Sequence, residues 1–206
     1  MTSVRHALGA IAIGALCVTT SARAQTTATA AKTFTFGGAG GFSIPFGSWK
    51  DDLGVNTGYT LQAHGTWNTP MLPVALRAEL GYTHWGYSAN ITGGKIDGSV
   101  REISFILNAV KPLTLSGSSV SPYWIAGLGA YNGKSDAQVS GGTFSTNSHT
   151  DVGVNGGAGI NFALGGSSAF VEARLHIVFG GGNSNATNNN NTKTALFLPI
   201  TFGFHY

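Results

Sequence analysis

The sequence predicts an all-β chain, an eight-stranded antiparallel up-and-down transmembrane β-barrel. Three observations predict it. Eight segments alternate apolar and polar residues, the period of a strand with two unlike faces. The connections between them alternate between short and long. Only 9% of residues are charged, against about 25% in ordinary globular proteins, too few to solvate an outer surface.

The first 24 residues read as an export signal. Met1 to His6 is a short basic n-region carrying Arg5, and Ala7 to Val18 is an apolar run too short to span a bilayer. Ala22-Arg23-Ala24 supplies the small-x-small pattern that signal peptidase reads, so residues 1–24 are expected to be cleaved and the barrel domain to occupy 25–206, starting at Gln25. The single cysteine, Cys17, lies inside the apolar run. Leu16 stands where a lipoprotein signal places a small residue, so lipidation is not expected, and the mature chain has no thiol chemistry. Without Arg5 and Arg23, the 11 basic residues fall to nine against eight acids. A balance of +1 with no basic cluster gives no argument for nucleic acid. Disorder does not fit a chain with 11% aromatics. Nothing after Gln25 approaches the 18 or so apolar residues of a spanning helix.

The eight segments are placed at Lys32–Pro45, Thr57–Asn68, Val74–Ser88, Ser99–Val110, Val120–Asn132, Thr150–Leu164, Ser168–Gly180 and Thr192–Tyr206. Thr69–Pro73, Lys111–Ser119 and Gly165–Ser167 connect them on one side. Phe46–Asn56, Ala89–Gly98, Gly133–His149 and Gly181–Asn191 connect them on the other, and these are longer and more polar. Outer-membrane barrels show this asymmetry, with short turns in the periplasm. Eight segments also put both termini on the short-turn side.

Each segment divides into two faces. The third sets Val74, Leu76, Ala78, Leu80 and Tyr82 against Arg77, Glu79 and Thr83. The fourth sets Ile103, Phe105, Leu107 and Ala109 against Glu102, Ser104 and Asn108. The seventh sets Val171, Ala173, Leu175, Ile177 and Phe179 against Glu172, Arg174 and His176. The eighth runs Leu196, Leu198, Ile200, Phe202, Phe204 and Tyr206 along one face. A soluble barrel would turn the apolar face inward. Here the polar face carries too few charges for water, and Gly153, Gly157 and Gly159 crowd it with small residues that suit a narrow interior. The apolar face is therefore expected to meet lipid and the polar face the lumen. Lipid leaves no backbone group unpaired, which requires the sheet to close. Aromatic residues are expected in two belts at headgroup level. Phe34, Phe36, Trp67, Trp124, Phe162, Phe202, Phe204 and Tyr206 fall near the short-turn ends; Tyr59, Trp85, Tyr87, Tyr131 and Phe179 fall near the long-loop ends.

The chemistry-bearing residues on the lumen face are ionisable. Arg77, Glu79, Glu172 and Arg174 lie at similar distances from the short turns, with Glu102, Gln62, His64 and His176 further up. Buried charges persist when paired, and eight strands enclose an interior that side chains can fill. A paired network that closes the lumen is the expectation; a narrow pore for small solutes is the alternative. Catalysis on lipid would need Ser, His and an acid converging at the outer interface. His84 with Ser88, and His149 among Ser145, Ser148 and Asp151, are rim residues without a diagnostic motif. No HxH or HxxxH spacing suggests a metal. The glycine runs at Gly37–Gly41 and Gly180–Gly182 lack the Lys-Ser/Thr of a phosphate loop. Neither a cofactor nor a metal is expected.

The sequence resembles the OmpA/OmpX-type superfamily of small outer-membrane β-barrels. The export signal, the Gly-rich stretch Val152-Gly153-Val154-Asn155-Gly156-Gly157-Ala158-Gly159-Ile160-Asn161-Phe162 and the ending Ile200-Thr201-Phe202-Gly203-Phe204-His205-Tyr206 carry the likeness. It implies a bacterial outer-membrane location among outer-membrane lipid and lipopolysaccharide. It also implies that Phe202, Phe204 and Tyr206 form the assembly signal read by the barrel-assembly machinery. No peptidoglycan-binding domain is expected after the barrel, so cell-wall anchoring is not implied. The expected function is a non-enzymatic one, in envelope integrity or surface interaction through the long loops, with a narrow porin-like channel or a lipid-modifying enzyme as alternatives. Nothing in the sequence names the surface ligand.

Overall fold

The computed structural model describes residues 33–51, 54–91, 94–113, 120–139, 142–145, 147–180 and 194–206. The export signal and the Asn-rich stretch 183–191 lie outside the described residues. Among the described residues, nine strands follow in chain order: β1 Phe34–Phe46, β2 Gly58–Trp67, β3 Ala75–Ile91, β4 Gly94–Pro112, β5 Val120–Val139, β6 Gly142–Ser145, β7 His149–Leu164, β8 Ser167–Phe179 and β9 Ala195–His205. A single helical turn, α1 Ser48–Asp51, follows β1. Every ladder is antiparallel. The sheet runs β4-β3-β2-β1-β9-β8-β7-β5, and pairing of β4 with β5 closes it into a barrel of eight strands. β1 meets β9 from Gly37↔His205 to Phe46↔Leu196, so the two ends of the barrel domain seal each other.

β6 stands outside the ring. It pairs with β5 from Asp136↔Ser145 to Val139↔Gly142, beyond the point where β7 takes over at Gly133↔His149. β4 and β5 are 19 and 20 residues long, whereas a transmembrane strand needs about 9–11. The surplus projects past the rim as a ribbon. The structure thus corrects two of the expected loops, Ala89–Gly98 and Gly133–His149, which are in large part strand. Glycines and polar residues there signal a turn, but a ribbon standing in water needs no apolar face and satisfies its backbone by pairing with itself. Asp136 ties the ribbon together: the Arg101 guanidinium and the Ser145 hydroxyl (2.5 Å) both donate to its carboxylate. Those two hydrogen bonds, the serine's foremost, hold the Asp136 carboxyl below its ordinary range. On the short side, residues 114–119 of the expected connection Lys111–Ser119 lie outside the described residues; Gly165-Gly166 closes β7 onto β8 as expected, with Gly165 in the left-handed region (φ 65°) that a two-residue hairpin demands.

The barrel is inside out relative to a soluble protein. Leu76, Leu80, Ile103, Phe105, Leu107, Leu128 and Phe202 are exposed, while Arg77, Glu79, Thr83, Ser104, Asn108, Glu172 and Arg174 are buried. The short-turn aromatic belt is exposed as expected. The long-loop belt needs correction. Tyr59 and Phe179 face outward, but Trp85 and Tyr131 are 0% and 1% exposed and point into the lumen. Their odd positions on β3 and β5 put them on the same face as Arg77 and Ile125; strand parity overrides the pull of an aromatic ring toward the headgroups.

Candidate functional site

Inward side chains stack in layers along the lumen, and strand geometry explains which residues meet. β3 and β8 stand four places apart in a ring of eight, on opposite walls. Arg77 and Glu79 project inward from β3, Glu172 and Arg174 from β8. Arg77 Nη1 donates to Glu172 Oε2 at 2.8 Å, and Arg174 Nη2 donates to Glu79 Oε1 at 2.6 Å. Arg174 Nε also lies 2.8 Å from Glu172 Oε1, at ion-pair distance though not aligned for a hydrogen bond. The four charges form a rung across the whole diameter, with side chains exposed by 3% or less.

Neutral neighbours complete the rung. Tyr123, inward on β5, donates its hydroxyl to Glu172 Oε2 at 2.7 Å, and Gln62 Oε1 accepts from Arg174 at 3.1 Å. The Arg77 guanidinium lies 5.7 Å from the centre of the Tyr123 ring and 5.8 Å from that of Phe170, a cation–π arrangement that packs as well as it pairs. Tyr123 fits because β7 offers glycine opposite it: a Cβ on Gly159 would collide with the phenol ring. Gly159→Ala is therefore expected to lower stability by about 1–3 kcal/mol through overpacking. Urea-driven unfolding in liposomes measures it, and an unchanged midpoint would contradict the contact.

Above the rung, Tyr131 and His176 hydrogen-bond (3.0 Å), and Thr60 bonds Thr83 (3.1 Å). The His176 ring stacks on Phe197 at 4.8 Å. An apolar cap follows. Trp85 packs edge-on against Trp49 and Phe197, with Val55, Val178 and Ala195 around it, and its indole donates to the Ser43 carbonyl at 3.2 Å. Below the rung, His64 meets His205 across β1 (3.0 Å), passing over Gly37, which leaves no room for a side chain.

Of the seven residues expected in the lumen network, Arg77, Glu79, Glu172 and Arg174 come together. His176 belongs to the layer above and His64 to the pair below. Glu102 is buried but makes no hydrogen bond or ion pair with a described residue. Sequence reasoning missed Tyr123, Trp49, Val55 and Phe197; the parity of β5 and β9 carries the signal for Tyr123 and Phe197, whereas Trp49 and Val55 sit in a connection, where parity says nothing. At the other mouth, Phe202, Phe204 and Tyr206 are exposed, and the Tyr206 ring stacks on Phe36 at 5.9 Å.

Among the described residues, the rim serines Ser88 and Ser145 hydrogen-bond acids. Ser88 donates to Asp97 at 2.6 Å and Ser145 to Asp136, each to an aspartate rather than a histidine. His149 Nε2 lies 2.6 Å from Asp151 Oδ2, at ion-pair distance. Among the described residues no group of three His, Cys, Asp or Glu side chains could hold a metal.

The family model described as outer membrane protein beta-barrel domain matches residues 8–198. A search of curated proteins gives no match. Among solved structures, a major outer membrane protein of Thermus thermophilus superposes with a TM-score of 0.57 at 13% identity, over 84% of this chain and 98% of that one. Neisserial surface protein A superposes with 0.52 at 14% identity, over 84% and 96%. The outer membrane enzyme PagL matches over 84% and 97% at 17% identity with a TM-score of 0.32, too loosely for its activity to bear on this chain. At these identities the likenesses speak for the barrel fold alone.

Proposed function

The chain belongs to the outer membrane protein β-barrel domain family, and from that premise we propose that it is a non-catalytic outer-membrane protein whose closed barrel serves envelope integrity or surface interaction. The observation that carries this reading is the rung from β3 to β8, which joins opposite walls through Arg77–Glu172 and Arg174–Glu79. A solute path would have to break ion pairs whose side chains are exposed by 3% or less, and the Trp85 layer lies above them. What stands outside the bilayer is the α1 connection and the ribbon of β3, β4, β5 and β6, surfaces suited to contact. Outer-membrane lipid and lipopolysaccharide meet the apolar face, and the barrel-assembly machinery reads the exposed Phe202, Phe204 and Tyr206.

Two assays test this, one on the reconstituted protein and one on cells. Proteoliposomes are expected not to swell in an isotonic pentose, and lipid A extracted from cells with and without the protein is expected to give the same mass spectrum. Rapid swelling would make the protein a channel. A lipid A species that depends on the protein would make it an enzyme.

A further inference from the structure

A cavity of about 190 Å³ opens at the long-loop mouth of the barrel, beside the apolar cap. Glu102 projects into it from β4. This carboxyl is 6% exposed and has no hydrogen-bonding or ionic partner among the described residues, whereas the carboxylates of the rung, Glu79 and Glu172, are both held by arginine. The residues beside Glu102 in the ladders, Thr83 and Gly133, are uncharged. Asp151 brings a second acid to the cavity and is bound by His149. Lys134 also lines the cavity and acts electrostatically on Asp136 of the ribbon. Aromatic and aliphatic side chains make up the walls, chiefly Trp49, Tyr131 and Val178.

A desolvated carboxylate without a partner is costly, and a cation bound to it would gain a charge-assisted hydrogen bond. Trp49 and Tyr131 line the same cavity, and aromatic rings attract positive charge. A bare metal ion fits poorly, because hard cations ask for about six oxygen ligands and no metal-binding group of three side chains exists among the described residues. The space corresponds to roughly six water molecules at ~30 Å³ each, below the drug-sized range. We propose that this mouth cavity binds a small organic cation: one ammonium head paired with Glu102, on an apolar body about the size of one aromatic ring seated between Trp49 and Tyr131. The site is independent of whether the lumen below it conducts.

Isothermal titration of the full chain, folded in detergent micelles and checked by heat-modifiable mobility, tests the site with phenethylammonium as probe. Saturable one-to-one binding is expected. 2-Phenylethanol, which has nearly the same shape without the charge, is expected to bind at least tenfold more weakly. Glu102→Gln should lose at least tenfold in affinity for the cation, and Trp49→Ala several-fold. Absence of saturable binding, equal affinity for the alcohol, or undiminished binding by Glu102→Gln would overturn the proposal. Should Glu102→Gln fail to fold, the alcohol comparison and Trp49→Ala decide it.

Discussion

Replacing Arg174 with alanine is expected to lower the unfolding free energy by roughly 3–5 kcal/mol, the cost of breaking a buried ion pair and stranding its partner. Arg174 is the hub of the rung: it holds Glu79 at 2.6 Å, Glu172 at 2.8 Å and Gln62 at 3.1 Å. Without it Glu79 loses its cation, while Glu172 keeps Arg77 and the Tyr123 hydroxyl. The damage is therefore expected to concentrate on Glu79, and the double variant Glu79→Ala/Arg174→Ala should be less destabilised than the two single effects summed, because the stranded charge is gone. Reversible unfolding in liposomes measures all three. A loss under about 1 kcal/mol for Arg174→Ala, in the range of a solvated surface pair, would mean that the lumen is wet and the rung loose.

The second large effect belongs to the outer face. Leu107→Lys should destabilise by about 2–4 kcal/mol, the penalty of a lipid-facing lysine near the bilayer midplane, since Leu107 is 52% exposed on a surface that only hydrocarbon can cover. Thr83→Lys, on the lumen face, is expected to cost less although Thr83 is buried. It pairs directly with Glu102 across the β3–β4 ladder, and opposite charges at facing positions are favourable. Equal losses for the two variants in the same refolding assay would say that the faces are inverted.

Much of this was legible in the sequence because strand parity is a strict geometric rule. One misplaced residue would have turned Arg77 and Glu79 to lipid, so the faces of the third and seventh segments could be read with no knowledge of pairing. The common level of Arg77, Glu79, Glu172 and Arg174 followed from counting residues up from the short turns. Which arginine takes which glutamate did not, since that depends on tilt and on rotamers reaching across a diameter. Glu102 looked like a member of the same set because residue type and face were right. Its place higher on β4 put it beside Thr83 and Gly133, out of reach of the arginines. The aromatic cap was missed for a different reason. Trp85 and Tyr131 answer to two rules that conflict near a rim: rings favour the headgroup level, and parity places them inside. Parity won, because the backbone direction of a paired strand cannot yield to one side chain. The ribbon above the rim escaped notice because its strands bury nothing, so the hydrophobic alternation that marks a strand fades there while the backbone pairing continues.

Single-channel recording of the wild-type protein in a planar bilayer tests the closed lumen most directly. The rung from β3 to β8 and the Trp85 cap above it predict a flat baseline with at most brief, small openings, and larger openings once Arg174→Ala removes the hub. Steady, large conductance from the wild type would contradict the closed lumen and make the barrel a pore.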